Sequence, residues 1–525
     1  MKKLIASILI VFLTPLSFAD SKQDEARPNF LFVAVDDLND FGGHTSEEDG
    51  NFLQIIYPDP EVREKVVARL TPTLNRLAQE SVPFTRAYCP SALCGPSRTS
   101  LMTGVAPHVS GYYMHNRNFR TYETLKDVVT LPQQLKAHGY FTAGAGKIFH
   151  RALGNSEGPI EDDWSDARNS WTTWVNHSQG AAGSKSKYAP PKGGNMQWGP
   201  GSQSLEETGD WNTADFIARV LENGGATAKV LRGDVGPDGI DLPEDQPFFL
   251  ACGIFRPHLP FYAPHEFFDL FPTEEMTGLN RESLDAMLAD LEDLPAGADQ
   301  FLQTEKGKMH AIMEHANELG GPAEEAPAWR SMVQSYLACV AFADACLGRL
   351  FEGLENSEYK DNTVVFLWSA HGYHVGAKYR VAKQAVWEKA NRVVLMVRDP
   401  RNPKGSNGIP RRQLASLNDM YPTICDLAGV PLPGPNVGRS LVPLLNSARA
   451  KPVNKDLVFT YMEGNHCLRT ERYAYLRYKD GTTELYDMRK DPRQLDNLAS
   501  KRKFAKTVAK LDDRLDERLA NPTAN

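Results

Sequence analysis

The sequence predicts an α/β fold: a large, mostly parallel sheet sandwiched by helices, with a smaller C-terminal α+β subdomain. Three observations carry that prediction. Short continuous apolar runs at Asn29–Val35, 248–255 and 363–368 have the composition of strands covered on both faces. Helical stretches lie between them, the longest over 329–354, and strands alternating with helices build parallel sheets. Toward the C-terminus the pattern changes to antiparallel-like alternation over 458–478 and a closing helix over 504–519.

The first residues read as a secretory signal over 1–19. Lys2 and Lys3 form a charged start, Leu4 to Leu13 is a short apolar run, and Ser17-Phe18-Ala19 is a small-x-small cleavage site. The run is too short to span a bilayer, and no later segment is apolar enough, so a secreted or periplasmic protein without a membrane span is expected. The first strand, Asn29–Val35, stops abruptly at Asp36-Asp37. Amphipathic helices follow over 74–78 and 131–138, the second ended by Gly139. Residues 153–246 differ in texture and form an insertion rich in Gly, Asp, Ser and Trp, with Trp164, Trp171, Trp174, Trp198 and Trp211. Such an insertion either shapes a binding site from the surface or lays its tryptophans over the core. Strands are expected at 248–255, 363–368 and 393–397. Prolines and glycines from Pro431 to Pro452 mark a boundary, giving a main domain over 20–440 and a C-terminal subdomain over 450–525.

A formal charge of −8 offers nothing to nucleic acid, and 41% apolar residues fit a globular chain. An anionic substrate would have to be drawn in by local cations. The seven cysteines are widely spaced, without a CxxC pair, which argues against a zinc site or a disulfide scaffold. Setting Cys94 aside leaves six, an even number able to pair in an oxidising compartment.

The chemistry-bearing residues stand at strand ends, where open α/β sheets build their sites. Asp36 and Asp37 are hard oxygen ligands suited to calcium or magnesium. In Gly146-Lys147-Ile148-Phe149-His150 the spacing of three places Lys147 and His150 on one side of a short turn. In Arg256-Pro257-His258-Leu259-Pro260-Phe261 two prolines stiffen the loop that presents His258. Ser369-Ala370-His371-Gly372 ends a third strand, and Lys383 follows in Val381-Ala382-Lys383-Gln384-Ala385-Val386-Trp387-Glu388.

Cys94-Gly95-Pro96-Ser97-Arg98, running on through Thr99 to Gly104, resembles the signature of the sulfatase family. The other motifs occur in that family's order, closest to its iduronate sulfatase-like branch. So does the ending Glu484-Leu485-Tyr486-Asp487 with Lys490-Asp491-Pro492 and Asn497-Leu498. The resemblance implies an alkaline-phosphatase/sulfatase-like fold and a Cys94 that a formylglycine-generating enzyme converts to formylglycine. Its hydrate would attack the sulfur of a sulfate ester through a sulfated covalent intermediate. By the same resemblance Arg98 braces the aldehyde, Lys147 holds sulfate and aldehyde oxygens, and His150 acts as base. His258 meets the ester oxygen and Lys383 binds a sulfate oxygen. One Ca2+ (or Mg2+) per chain would be held by Asp36, Asp37, residue 94 and His371. Sulfated carbohydrates, such as polysaccharide fragments, are the expected substrate.

The chain departs from the pattern at two positions. The family's Asp-His-Gly is here Ala370-His371-Gly372, and the glutamate that follows is replaced by Ala377. Losing a carboxylate reduces the negative charge facing a cation. This raises an alternative, a weakened sulfatase relic that binds sulfated glycans without cleaving them. The retained nucleophile and cations weigh against it.

Overall fold

The computed structural model describes residues 27–42, 45–46, 48–151, 157–176, 196–228, 238–302, 309, 312–313, 326–405 and 407–524. The expected signal over 1–19, and parts of the insertion over 153–246, lie outside them. Among the described residues no helix is long and apolar enough to cross a membrane.

The first strand, β1 (Asn29–Val35), is buried along its whole length. It lies inside a seven-stranded sheet with β2 (Val82–Pro83), β3 (Phe141–Gly146), β4 (Thr173–Val175), β5 (Phe248–Ile254), β6 (Thr363–Ser369) and β7 (Leu395–Arg398). Their spatial order is β2-β7-β6-β1-β5-β3-β4. The five strands from β6 to β4 are parallel, and β7 runs antiparallel between β6 and β2. The expected strand over 393–397 is thus the reversed one, preceded by a separate two-residue strand at Arg392–Val393.

Alternate β1 residues feed two cores, as a pleated strand requires. Leu31, Val33 and Val35 face a cluster built by α3 (Gly209–Asn223) and the long α4 (Pro327–Glu355). Phe30, Phe32 and Ala34 face a second cluster under α1 (Cys94–Thr103), α2 (Leu131–Ala137) and α5 (Met420–Ala428). Each such buried side chain contributes about 1.5–3 kcal/mol. Of the tryptophans in the 153–246 stretch, Trp171, Trp174 and Trp198 belong to these cores and Trp211 packs against one. The core-covering reading holds for those four. All seven cysteines are buried and free, so the even-pairing expectation fails.

Beyond the main sheet, β8 (Asp456–Thr460), β9 (His466–Thr470), β10 (Tyr473–Arg477) and β11 (Thr483–Asp487) form an antiparallel meander. Helix α6 (Ala505–Ala520) covers one face through Leu511 and Leu515. The other face meets Tyr88, Leu93 and Trp387 of the main unit.

Register places the site. Val35 pairs with Ser369 on one side and Ile254 on the other, and Gly146 pairs with Gly253. The loops that begin at Asp36, Ala370, Phe255 and Lys147 therefore leave the sheet at one level. The approach between β3 and β5 leaves no room for side chains. A Cβ on Gly253 would lie 2.2 Å from the Lys147 nitrogen, and Gly146 has φ +82°. Gly253→Ala is expected to lower stability by about 1–3 kcal/mol through overpacking; an unchanged urea midpoint would contradict this account of the close approach.

Candidate active site

The turn after β1 is tied down on all sides. The Asp36 amide donates to the Ile254 carbonyl (3.1 Å), and the Leu38 amide donates to Ser369 Oγ (3.1 Å). Ser369 in turn donates to the His371 carbonyl (2.8 Å), joining two strand ends through one hydroxyl. Asp37 adopts φ 58°, a left-handed conformation that Asp tolerates better than most residues. Its carbonyl accepts from Tyr336 Oη (2.7 Å), which reaches over from α4.

Cys94 opens α1, a helix buried throughout. Ser97, one turn on, donates Oγ to the Ala370 carbonyl (2.6 Å), pinning this helix end against the loop after β6. The Cys94 sulfur lies 3.1 Å from His371 Nε2 and 3.6 Å from Asp36 Oδ2. His371 gives its Nδ1–H to the Gly372 carbonyl (3.1 Å), which turns Nε2 toward Cys94 and Asp37, 3.3 Å from Asp37 Oδ1. Ligand atoms of Asp36, Asp37, Cys94 and His371 all fall within 4.8 Å of one another, all from buried residues. This is the four-residue set named from the motifs. Two hard carboxylates, an imidazole and residue 94 suit a divalent cation that accepts oxygen and nitrogen ligands. Position 370 adds none, since Ala370 offers only a methyl group.

Cations complete the cluster. Asp36 is ion-paired to Arg98 (2.9 Å) and to Lys147, while Lys383 spans both oxygens of Asp37 at 2.7 and 2.8 Å. Arg98 also donates to the carbonyls of Lys147 (2.5 Å) and Ile148 (2.8 Å), which fixes the turn carrying the lysine. Burial alone would push the Cys94 thiol up. Lys147, Lys383 and His371 outweigh it and hold the thiol well below its ordinary value. Burial and Cys94 both work against ionised Asp36, yet Lys147 and Arg98 keep its carboxyl well below the usual range. Lys383 shows the same competition: burial pulls it down, Asp37 pulls it further up.

The opening is aromatic. His150 stacks on His115 with ring centres 3.9 Å apart, and Trp164 stands edge-on to His150 at 5.7 Å. Arg151 lies over that tryptophan at 4.3 Å, so this one tryptophan of the 153–246 stretch does reach the site. Burial, with Lys147 beside it, lowers the pKa of His150, and burial with His150 brings His115 down to about 3. Both imidazoles are neutral bases at neutral pH. His258 is half-buried against Phe255 (4.7 Å), holds the Leu259 carbonyl through Nδ1 (2.7 Å), and has its own carbonyl held by Arg256 (2.9 Å). It lies close enough to Asp36 to act on it electrostatically. All nine residues named from the motifs as ligands or catalytic groups therefore gather around one point. His115 was not among them. Its only signal in the sequence is Gly95, where a Cβ would come 2.5 Å from His115 Cβ.

Comparison with known proteins now bears on this geometry. The family described as Sulfatase matches residues 28–430. The chain belongs to the sulfatase family. A second description, N-sulphoglucosamine sulphohydrolase, C-terminal, matches residues 377–521 of this sulfatase. A sulfatase of Formosa agariphila is 32% identical over 92% of this chain and 85% of its own length. The iduronate 2-sulfatase of Mus musculus is 27% identical over 77% of this chain and 69% of its own. The fold also matches the crystal structure of a phosphonate monoester hydrolase of Agrobacterium radiobacter, with TM-score 0.68 at 18% identity, covering 94% of this chain and 96% of that one. The alkaline-phosphatase/sulfatase-like architecture is thereby shown, and this sulfatase is a sulfuric ester hydrolase.

Arg98 is wholly buried, and its loss would leave Asp36 short of one partner and two carbonyls without donors. Arg98→Met is expected to destabilise the protein by about 3–5 kcal/mol, read from urea unfolding. A loss below about 1 kcal/mol, the worth of a surface pair, would mean the ion pair is not buried in solution.

Proposed function

We propose that this sulfatase is an exported enzyme that hydrolyses sulfate esters of carbohydrates, using a formylglycine made from Cys94 and a Ca2+ (or Mg2+) ion. The observation that carries the reading is the convergence of Cys94 with Asp36, Asp37, His371 and the two lysines. Cations gathered beside residue 94 are suited to holding an anionic ester against an oxygen nucleophile there. The N-terminal pattern supports export, and the sugar named for the iduronate 2-sulfatase relative supports the substrate class.

A formylglycine at position 94 would supply the attacking oxygen as its hydrate, and a divalent cation, which Asp36, Asp37, residue 94 and His371 would hold, would supply charge to polarise it. The remaining work falls to side chains already in place. Lys147 and Lys383, 3.9 and 3.5 Å from the Cys94 sulfur, neutralise sulfate oxygens that arrive there. Arg98 holds the Lys147 turn and Asp36 together and so positions both. His150, neutral because it is buried, accepts a proton from the hydrate. His258, at the rim, gives a proton to the leaving alcohol, with Lys383 beside it. The glycan-binding relic is not favoured, since a chain freed from catalysis has no reason to keep this set in register.

Cys94→Ala is expected to reduce sulfate release by a factor on the order of 10⁴ or more with the unfolding midpoint unchanged. Turnover within tenfold of the parent would sink the mechanism. Ala370→Asp, by adding a carboxylate beside His371, is expected to tighten calcium binding about tenfold or more, measured by calorimetric titration of converted enzyme. An unchanged affinity would show that another oxygen already fills that corner.

A further inference from the structure

Away from the catalytic cluster, two cavities of about 460 and 600 Å³ lie where the C-terminal subdomain meets the main unit, and a third of about 700 Å³ lies next to them between the meander and α6. They are neighbours: the first two share Arg86, Pro410 and Arg412, and the last two share Lys455. None of the residues placed in the active site lines any of them. The first cavity adds Arg392, Arg469 and Arg489, and the third adds Lys506, Lys510 and Arg514. Nine Arg and Lys side chains thus face five Asp and Glu along the path, in a protein whose formal charge is −8.

The acidic residues there are mostly committed. Glu48 is paired with Arg392 (2.7 Å) and approached by Arg412 (3.7 Å), and Glu388 pairs with Arg469 (3.3 Å). Asp456 is held by Arg514 (2.8 Å), and Glu471 pairs with Arg489 (2.6 Å). The guanidinium of Arg86 and the ammonium groups of Lys506 and Lys510 have no ion pair among the described residues. Arg392 Nε is buried and unpartnered among them as well. Surplus cations in a row, exposed or half-exposed and without ion-pair partners among the described residues, are suited to a row of anions rather than to one small ion.

We propose that this groove is an exosite for a sulfated glycan chain, holding a stretch of the polymer remote from the sulfate being cleaved. The inference rests on the sulfated-carbohydrate reading of the active site and adds a second contact with the same polymer. It binds through charge, so its affinity falls with salt, and it lowers KM for long chains without altering turnover of small esters.

The test uses full-length protein carrying Arg86→Gln, Arg412→Gln and Lys510→Gln together. Binding of fluorescein-labelled dextran sulfate is followed by fluorescence anisotropy, with unsulfated dextran and a single-stranded DNA of matched charge as comparisons. Hydrolysis of a small aryl sulfate reports folding and the catalytic cluster separately. The triple variant is expected to lose about tenfold or more in dextran sulfate affinity at low salt and to keep aryl sulfate turnover. Unchanged affinity overturns the proposal, and so does DNA binding as tight as that of dextran sulfate with equal sensitivity to the variant. Should the parent bind dextran sulfate through these residues yet hydrolyse no sulfate ester, the catalytic reading fails and the exosite stands.

Discussion

Asp36 and Asp37 sit without exposed surface at the end of a strand covered on both faces, and the rest of the site answers the cost of burying them. An isolated buried carboxylate is disfavoured by several kcal/mol, so each must be met by charge or by hydrogen bonds. Arg98 and Lys147 meet Asp36, and Lys383 meets Asp37. These partners come from α1, from the turn after β3 and from the loop after β6. They can meet only because the parallel strands end at one level. Displacing any one strand by a residue would flip its side chains and strand a charge.

The same constraint explains why a distant subdomain belongs to the site. Lys383 lies on an irregular loop, and that loop is held from behind. Glu484 of β11, wholly buried, accepts from Trp387 Nε1 (2.9 Å) and from the hydroxyls of Tyr478 and Tyr486. Gln494 accepts the Glu388 amide through its side chain (2.7 Å), and Asn391 donates to the carbonyls of Ala385 (2.9 Å) and Trp387 (2.8 Å). The ending that resembles the family's C-terminal motif therefore acts as a brace for the lysine, through a chain of buried, hydrogen-bonded polar groups.

The legible parts of this protein were those where local pattern and fold agree. Continuous apolar runs marked β1, β5 and β6 because both of their faces are covered, and the motif at each run's end was read from chemistry that only works in a shared pocket. What stayed hidden depends on contacts distant in sequence. The reversal of β7 leaves no trace in its own residues, since a buried strand has the same composition in either direction. Trp171, Trp174 and Trp198 sit in a polar, glycine-rich stretch, yet they pack on the sheet, because a few large rings suffice to anchor an irregular segment. His115 belongs to no motif and reaches the site only by lying against Gly95 and His150.

Ala370 is best understood through the charge it removes. With residue 94 and the imidazoles set aside, only two carboxylates face Arg98, Lys147 and Lys383, which leaves one positive charge in excess before any ion or substrate enters. A third carboxylate, as the family pattern has, would bring them to balance. On the proposed function, the excess would weaken the hold on a divalent cation and strengthen the attraction for a sulfate, and burial would reduce the solvent screening of both effects. The site is therefore tilted toward its anion. A cation and a sulfate ester that bind next to each other relieve one another's repulsion with the protein, so each is expected to favour the arrival of the other.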